Sequence, residues 1–230
     1  MKIGIIGAMD AEILAYRKAI KNLKVHKNKI FTFYTGRFHS HDVVLVKSGV
    51  GKVFATMICQ HLIDKFNVKM VLFTGVGGSL NKTLEIGDVV ASVDSVHHDF
   101  DAVALGFPRG NISYTKYRFF PADKKLLKLA LSAPVEHKII AGRILTGDQF
   151  MTQKEKLKNK YLVEELKGDC IEMEGAAVGQ VCHVNGIKHL IIRTVSDQAN
   201  GTAVQDYNKF FPVVAENSFK IVDWIVSKLK

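Results

Sequence analysis

The chain has 230 residues, 47% of them apolar, and no low-complexity stretch, enough to bury one sizeable core and to favour a single domain over residues 1–230. No apolar span approaches the roughly 20 residues a bilayer requires, and the N-terminus lacks the basic region and long apolar core of a secretory signal, so no membrane partner and a cytoplasmic location are expected. The net charge of +10 raises the question of nucleic acid, but the lysines are scattered; the mild clusters at Lys18–Lys29 and Lys154–Lys160 read as outer faces of helices without aromatics for base stacking, so no nucleic-acid partner is expected.

Short β-branched runs alternate with longer amphipathic stretches, the pattern of an α/β layered fold. In chain order, strands are expected at Lys2–Ile6, Ile30–Tyr34, Asp42–Val46, Met70–Thr74, Val89–His97, Lys138–Leu145, Cys170–Met173 and Lys188–Val195. Helices are expected at Ala11–Asn22, Val53–Phe66, Ala122–Leu131, Gln153–Leu166, Gly175–Asn185 and Asp206–Leu229. The second and third strands flank a turn at Arg37–His41 and should form a hairpin, which makes the sheet mixed. The last helix carries Phe210, Phe211, Val214, Phe219, Val222, Ile225 and Leu229 near one stripe, so it packs. The irregular stretch Asp99–Pro121 is a candidate active-site wall or partner contact.

Several motifs invite a chemistry and fail. Ser48-Gly49-Val50-Gly51-Lys52 resembles the end of a phosphate-binding loop, but the upstream glycine position holds Val46 and the residue after the lysine is Val53. Thr74-Gly75-Val76-Gly77-Gly78-Ser79 would need a glycine at Leu80 to complete a dinucleotide fingerprint. Both segments read as tight strand-to-helix turns where backbone approaches a ligand closely. In His97-His98-Asp99, strand alternation puts His98 opposite its neighbours, so structural roles are favoured over a metal. Cys59, Cys170 and Cys182 are odd in number and widely spaced, which suits buried thiols rather than disulfides or zinc. No serine elbow or Cys/His pair points to covalent catalysis.

Acids that follow strands are more informative. Asp197 ends the run Leu190–Val195, and acidic segments also follow Ile3–Ile6 (Asp10, Glu12) and Cys170–Ile171 (Glu172, Glu174). Each alone could be a turn former, an N-cap or a partner of the helix dipole. In an open α/β sheet, however, ligands sit outside the carboxyl ends of strands, where three such acids can converge. A protonated aspartic acid can donate to adenine N7 while accepting from the N6 amino group.

Six segments then carry a resemblance: Gly4–Glu12, Lys47–Val53, Thr74–Leu80, Gly147-Asp148-Gln149-Phe150, Glu172–Ala176 and Arg193-Thr194-Val195-Ser196-Asp197. In order and spacing they resemble the bacterial 5′-methylthioadenosine/S-adenosylhomocysteine nucleosidases over nearly the whole chain. The resemblance implies a nucleoside phosphorylase-like three-layer αβα sandwich around a mixed β-sheet, a homodimer, and cofactor-free hydrolysis of the N-glycosidic bond of those nucleosides. By matching position it implies that Asp197 protonates N7, Glu12 activates water and Glu174 binds the ribose hydroxyls. Met173 would lie under the sugar, Met9 and Val50 near the thioether, and Val76 and Gly77 in the cleft wall. Phe150 would stack on adenine, Met151 would offer it backbone hydrogen bonds, and Tyr207 would cover the 5′ substituent. Ser196 and Arg193 would support the carboxylates, and Leu105 would reach the partner subunit's site. Val76 stands where several members have serine, and Leu105 and Tyr207 where others have phenylalanine, which bears on the 5′-group preference.

The chemistry requires two carboxyls in different protonation states: Asp197 held neutral by burial as the acid, and Glu12, nearer solvent, ionised as the base. Arg193 is expected to keep Glu174 ionised. The competing reaction, phosphorolysis by a purine nucleoside phosphorylase, needs positive charge for phosphate, which Asp10 and Glu12 at the first strand's exit oppose.

Overall fold

The computed structural model describes residues 1–198 and 203–230, with backbone alone for 153, 203–205, 207, 208 and 210–215. Ten strands form one mixed sheet: β1 (Lys2–Gly7), β2 (Lys21–Lys27), β3 (Thr32–Phe38), β4 (His41–Lys47), β5 (Met70–Ser79), β6 (Val89–His97), β7 (Phe120–Pro121), β8 (Ile139–Thr146), β9 (Cys170–Glu172) and β10 (Lys188–Asp197). The helices are α1 (Asp10–Ala19), α2 (Lys52–Phe66), α3 (Lys124–Leu131), α4 (Gln153–Lys158), α5 (Tyr161–Glu164), α6 (Gly175–Val184) and α7 (Ala203–Lys228).

The central strands are apolar on both faces because both faces are covered. Ile3, Ile5, Val43, Leu45, Leu72 and Ile192 pack against α1, α3 and α7, while Ile6, Val44, Val46, Val71, Phe73 and Ile191 meet α2 and α6. The expected three layers follow from this alternation. The sheet also curls: β5 pairs with β10, β10 with β6, β6 with β8, β8 with β9, and β9 returns to β5, closing a ring within the larger sheet. Among the described residues, no helix is long and apolar enough to cross a membrane.

Four expectations need correction. The first helix stops at Ala19, and the lysines after it lie on β2, an edge strand exposed along its length that pairs with β3. The strand has no buried face, since its two alternating apolar residues, Leu23 and Val25, are both exposed, and its lysines guard an edge. The helix expected over Gln153–Leu166 is two helices; the first presents an exposed Leu157, and the second is anchored by buried Leu162, with buried Leu166 just beyond its end. Thr74–Ser79 continues β5 and is not a turn. The long connection after His97 holds a short helical turn at Val103–Leu105 and β7. The hairpin between Ile30–Tyr34 and Asp42–Val46 is present as antiparallel β3 and β4. Within the stripe of the last helix, Val222, Ile225 and Leu229 are buried; the side chains of Phe210, Phe211 and Val214 lie outside the described residues.

Candidate active site

A cleft opens beyond the carboxyl ends of β1, β5, β9 and β10. Asp197 is pushed into it by an irregularity: in the parallel pairing of β10 with β5, Val195 faces Gly77 and Asp197 faces Gly78, so Ser196 is an extra residue that shifts the register. The Ser196 hydroxyl donates to Asp197 Oδ2 at 3.0 Å and lies 3.4 Å from the Gly77 carbonyl. Asp197 is only 2% exposed, and the wall beside it is Val76, Gly77 and Gly78 of β5.

Glu12 enters from the first turn of α1. One carboxylate oxygen accepts from the amides of Ala8 (2.6 Å) and Met9 (3.0 Å), so it caps its own helix. The other accepts from the Val76 amide at 3.1 Å, tying α1 to β5. Sequence reasoning put Glu12 nearer solvent with an ordinary carboxylate pKa, and the structure corrects this. The side chain is buried, and burial raises its pKa despite the charge of Arg193 and three amide donors. The fit needs Gly75, where a Cβ would stand 2.6 Å from Glu12 Oε1 and 2.7 Å from Arg193 Nη1.

The residue that sequence reasoning left without a role is Glu172. It accepts from the amides of Glu174 (3.1 Å) and Gly175 (2.7 Å), from the Thr146 hydroxyl and from Arg193, whose Nη2 lies 2.5 Å away. Arg193 is buried under the cleft over the Phe73 ring. Its guanidinium therefore belongs first to Glu172, with Glu174 at 3.6 Å. The expectation that Arg193 holds Glu174 ionised fails for this reason: burial, then repulsion from Glu172, pushes Glu174 up to about 8 against the pull of Arg193 and the Gly51 amide. The clue lay in the Glu-Met-Glu spacing, which sets two acids two residues apart where a strand ends.

Glu174 occupies the N-cap position of α6, yet its Oε1 accepts at 2.8 Å from the amide of Gly51, which precedes α2. The turn there needs positive φ at Gly49 and Gly51 (84° and 98°), as expected of a tight turn beside a ligand. Val50 of this turn, Met9 and Met173 line the same cleft, and Phe150 and Met151 form its wall after β8, with Met151 buried and Phe150 40% exposed.

Two candidates are not among the described residues of the cleft. Leu105 is 68% exposed, away from the cleft of its own chain. Tyr207 belongs to α7, but its side chain lies outside the described residues. His97 and His98 are structural in their contacts, to Gln180 and Tyr161, and among the described residues no group of three or more metal-ligating side chains converges.

Residues 2–227 match the phosphorylase superfamily. Over its whole length the chain is 36% identical to the 5′-methylthioadenosine/S-adenosylhomocysteine nucleosidase of Psychromonas ingrahamii, all of which is covered. The nucleosidase of Neisseria meningitidis, solved with methylthio-immucillin-A, has a TM-score of 0.94 and 33% identity, covering 99% of each chain. The futalosine hydrolase of Helicobacter pylori has a TM-score of 0.93 and 33% identity, covering 100% of this chain and 98% of that one. With identity spread over the full length, on the same mixed sheet and around a cleft built from the segments quoted above, the chain belongs to the 5′-methylthioadenosine/S-adenosylhomocysteine nucleosidase family of the phosphorylase superfamily.

Proposed function

We propose that this protein hydrolyses the N-glycosidic bond of 5′-methylthioadenosine and S-adenosylhomocysteine, and of 5′-deoxyadenosine, releasing adenine and the 5-substituted ribose. The observation that carries this reading is the placement around one cleft of Asp197 at the end of β10, Glu12 in the first turn of α1 and Glu174 at the start of α6. As the C1′–N9 bond breaks, the electron pair moves into the purine, and Asp197 gives a proton to N7 so that adenine leaves neutral. Water adds to the oxocarbenium-like C1′ and loses a proton to Glu12. Glu174 meets the ribose hydroxyls, accepting from both when ionised and donating to one when neutral. Phe150 stacks on the base, Met173 lies under the sugar, and Met9, Val50 and Tyr207 surround the 5′ substituent.

Phosphorolysis is disfavoured by charge. Four carboxyl groups, Glu12, Glu172, Glu174 and Asp197, line the cleft, and the guanidinium of Arg193 is already engaged by Glu172. Among the described residues that line the cleft none is a lysine, arginine or histidine, so a phosphate dianion would meet no available cation there. Measuring adenine release from methylthioadenosine with and without phosphate tests this; strict phosphate dependence with a pentose 1-phosphate product overturns it. Running the assay on S-adenosylhomocysteine, 5′-deoxyadenosine and futalosine ranks the 5′ groups.

The working unit in this reading is a homodimer. Val53, Phe54 and Met57 on α2, and Val103, Leu105 and Tyr114 on the long connection, are exposed apolar side chains. Leu105 would complete the 5′ end of the partner subunit's cleft.

A further inference from the structure

Between Thr146, where β8 ends, and Gln153, where α4 begins, the chain has no regular structure, yet it carries both residues of the base wall, Phe150 and Met151. Across the cleft, the turn before α2 carries Val50 and the Gly51 amide that holds Glu174. One cluster joins these segments to each other and to the chain just beyond β6. The Lys52 ammonium lies 2.6 Å from Asp99 Oδ2 and 3.6 Å from Asp148 Oδ2. Two backbone amides complete it: Lys52 N–H donates to Asp148 Oδ1 (3.0 Å), and Asp148 N–H donates to Asp99 Oδ2 (3.1 Å). The Lys52 and Asp99 side chains are 24% and 30% exposed, so the pair is partly shielded. Behind the loop, His98 packs so closely on Gly147 that a Cβ there would overlap its ring.

We propose that Lys52, Asp99 and Asp148 form a positioning clasp that holds the base wall and the sugar wall of the cleft in register. None of the three lines the cleft. They act through Phe150 and Met151 on one side and through Gly51 and Glu174 on the other. An isolated exposed ion pair contributes little, but this one fixes two main-chain segments whose relative placement sets how base and ribose are gripped together, and displacement by about 1 Å can cost on the order of 100-fold. The inference rests on the nucleosidase reading for its substrate.

The test uses Lys52→Met, Asp99→Asn and Lys52→Arg in the full-length protein. Losing the clasp weakens the grip on the base in the ground state, so Lys52→Met and Asp99→Asn should raise KM for methylthioadenosine, and the inhibition constant of adenine, by about 10-fold with kcat changed less than about 3-fold. Lys52→Arg should recover most of the loss, since a guanidinium can bridge both aspartates. Lys52→Met combined with Asp99→Asn should be little worse than either alone, because all three groups form one unit. Hydrogen exchange of the unliganded variants should quicken in residues 49–54 and 147–152 together. KM and adenine inhibition within about 2-fold of wild type, or unchanged exchange in either segment, overturns the clasp. A wild-type protein that releases adenine from none of the nucleosides instead defeats the functional reading, and the exchange measurement still decides the clasp.

Discussion

Three backbone amides converge on the two oxygens of Glu12, and a carboxamide there would turn one of its own donors against another. Glu12→Gln should therefore lower turnover by at least about 100-fold, as should Asp197→Asn, through loss of general acid-base assistance. Only the former should also lose about 1–3 kcal/mol of stability, from a mispaired amide group. Steady-state kinetics beside thermal melts separate the two effects. Glu172 differs in kind. Glu172→Gln leaves buried Arg193 without its closest counter-charge and should cost about 3 kcal/mol or more, read as a lowered denaturation midpoint. For Glu174 the sign follows from its raised pKa. The folded chain holds this proton more tightly than the unfolded chain, so the stability it contributes is whole below the ordinary value of 4.5 and is lost as pH rises through about 8. The melting temperature of Glu174→Gln relative to wild type should climb across that window; a difference independent of pH contradicts the assignment.

At the scale of elements, the bulge in β10 and the bare backbone of β5 do complementary things. The extra residue Ser196 turns Asp197 toward the cleft, while Gly75 leaves room for Glu12 and Arg193 to approach. Gly75→Ala should cost about 1–3 kcal/mol by overpacking and should depress activity in the same variant, because the atoms it displaces are a carboxylate oxygen and a guanidinium nitrogen; melts and adenine release on one preparation check both. These elements were unequally legible. The buried strands were visible in runs such as Leu190-Ile191-Ile192, and the acids after them in their position. β2 was not, because an exposed lysine-rich edge strand offers only two apolar residues, Leu23 and Val25, too few to stand out from a helix end. The role of Glu172 was hidden for another reason: a carboxylate that only braces other residues has the same letter as one that meets substrate, and the partner that reveals it, Arg193, is 21 residues away. Burial of Glu12 depends on how α1 packs on β5, a tertiary matter.

For the whole molecule, a chain of 25.6 kDa should sediment at about twice that mass if the exposed apolar residues of α2 and the Val103–Leu105 turn meet a second copy. Leu105→Asp should shift sedimentation toward the monomer and raise KM for methylthioadenosine; a wild-type monomer with full activity contradicts the dimer. The layered architecture was legible in the alternation of apolar runs and amphipathic stretches, and a convergence of Asp197, Glu12 and Glu174 in their position after strands, while Phe150 entered only through the family resemblance. Closure of β5, β10, β6, β8 and β9 into a ring was not, because it depends on the three residues of β9 finding partners on both sides.

That hoop has a kinetic consequence. A strand inside a closed circuit cannot peel away from a free margin; breathing there requires parting two seams at once, and Asp197 rides on one such strand while Glu12 is pinned to its neighbour. Amide protons of β5 and β10 should accordingly be among the last to trade with deuterium, well after those of β2, so Asp197 and Glu12 keep their spacing while the periphery loosens.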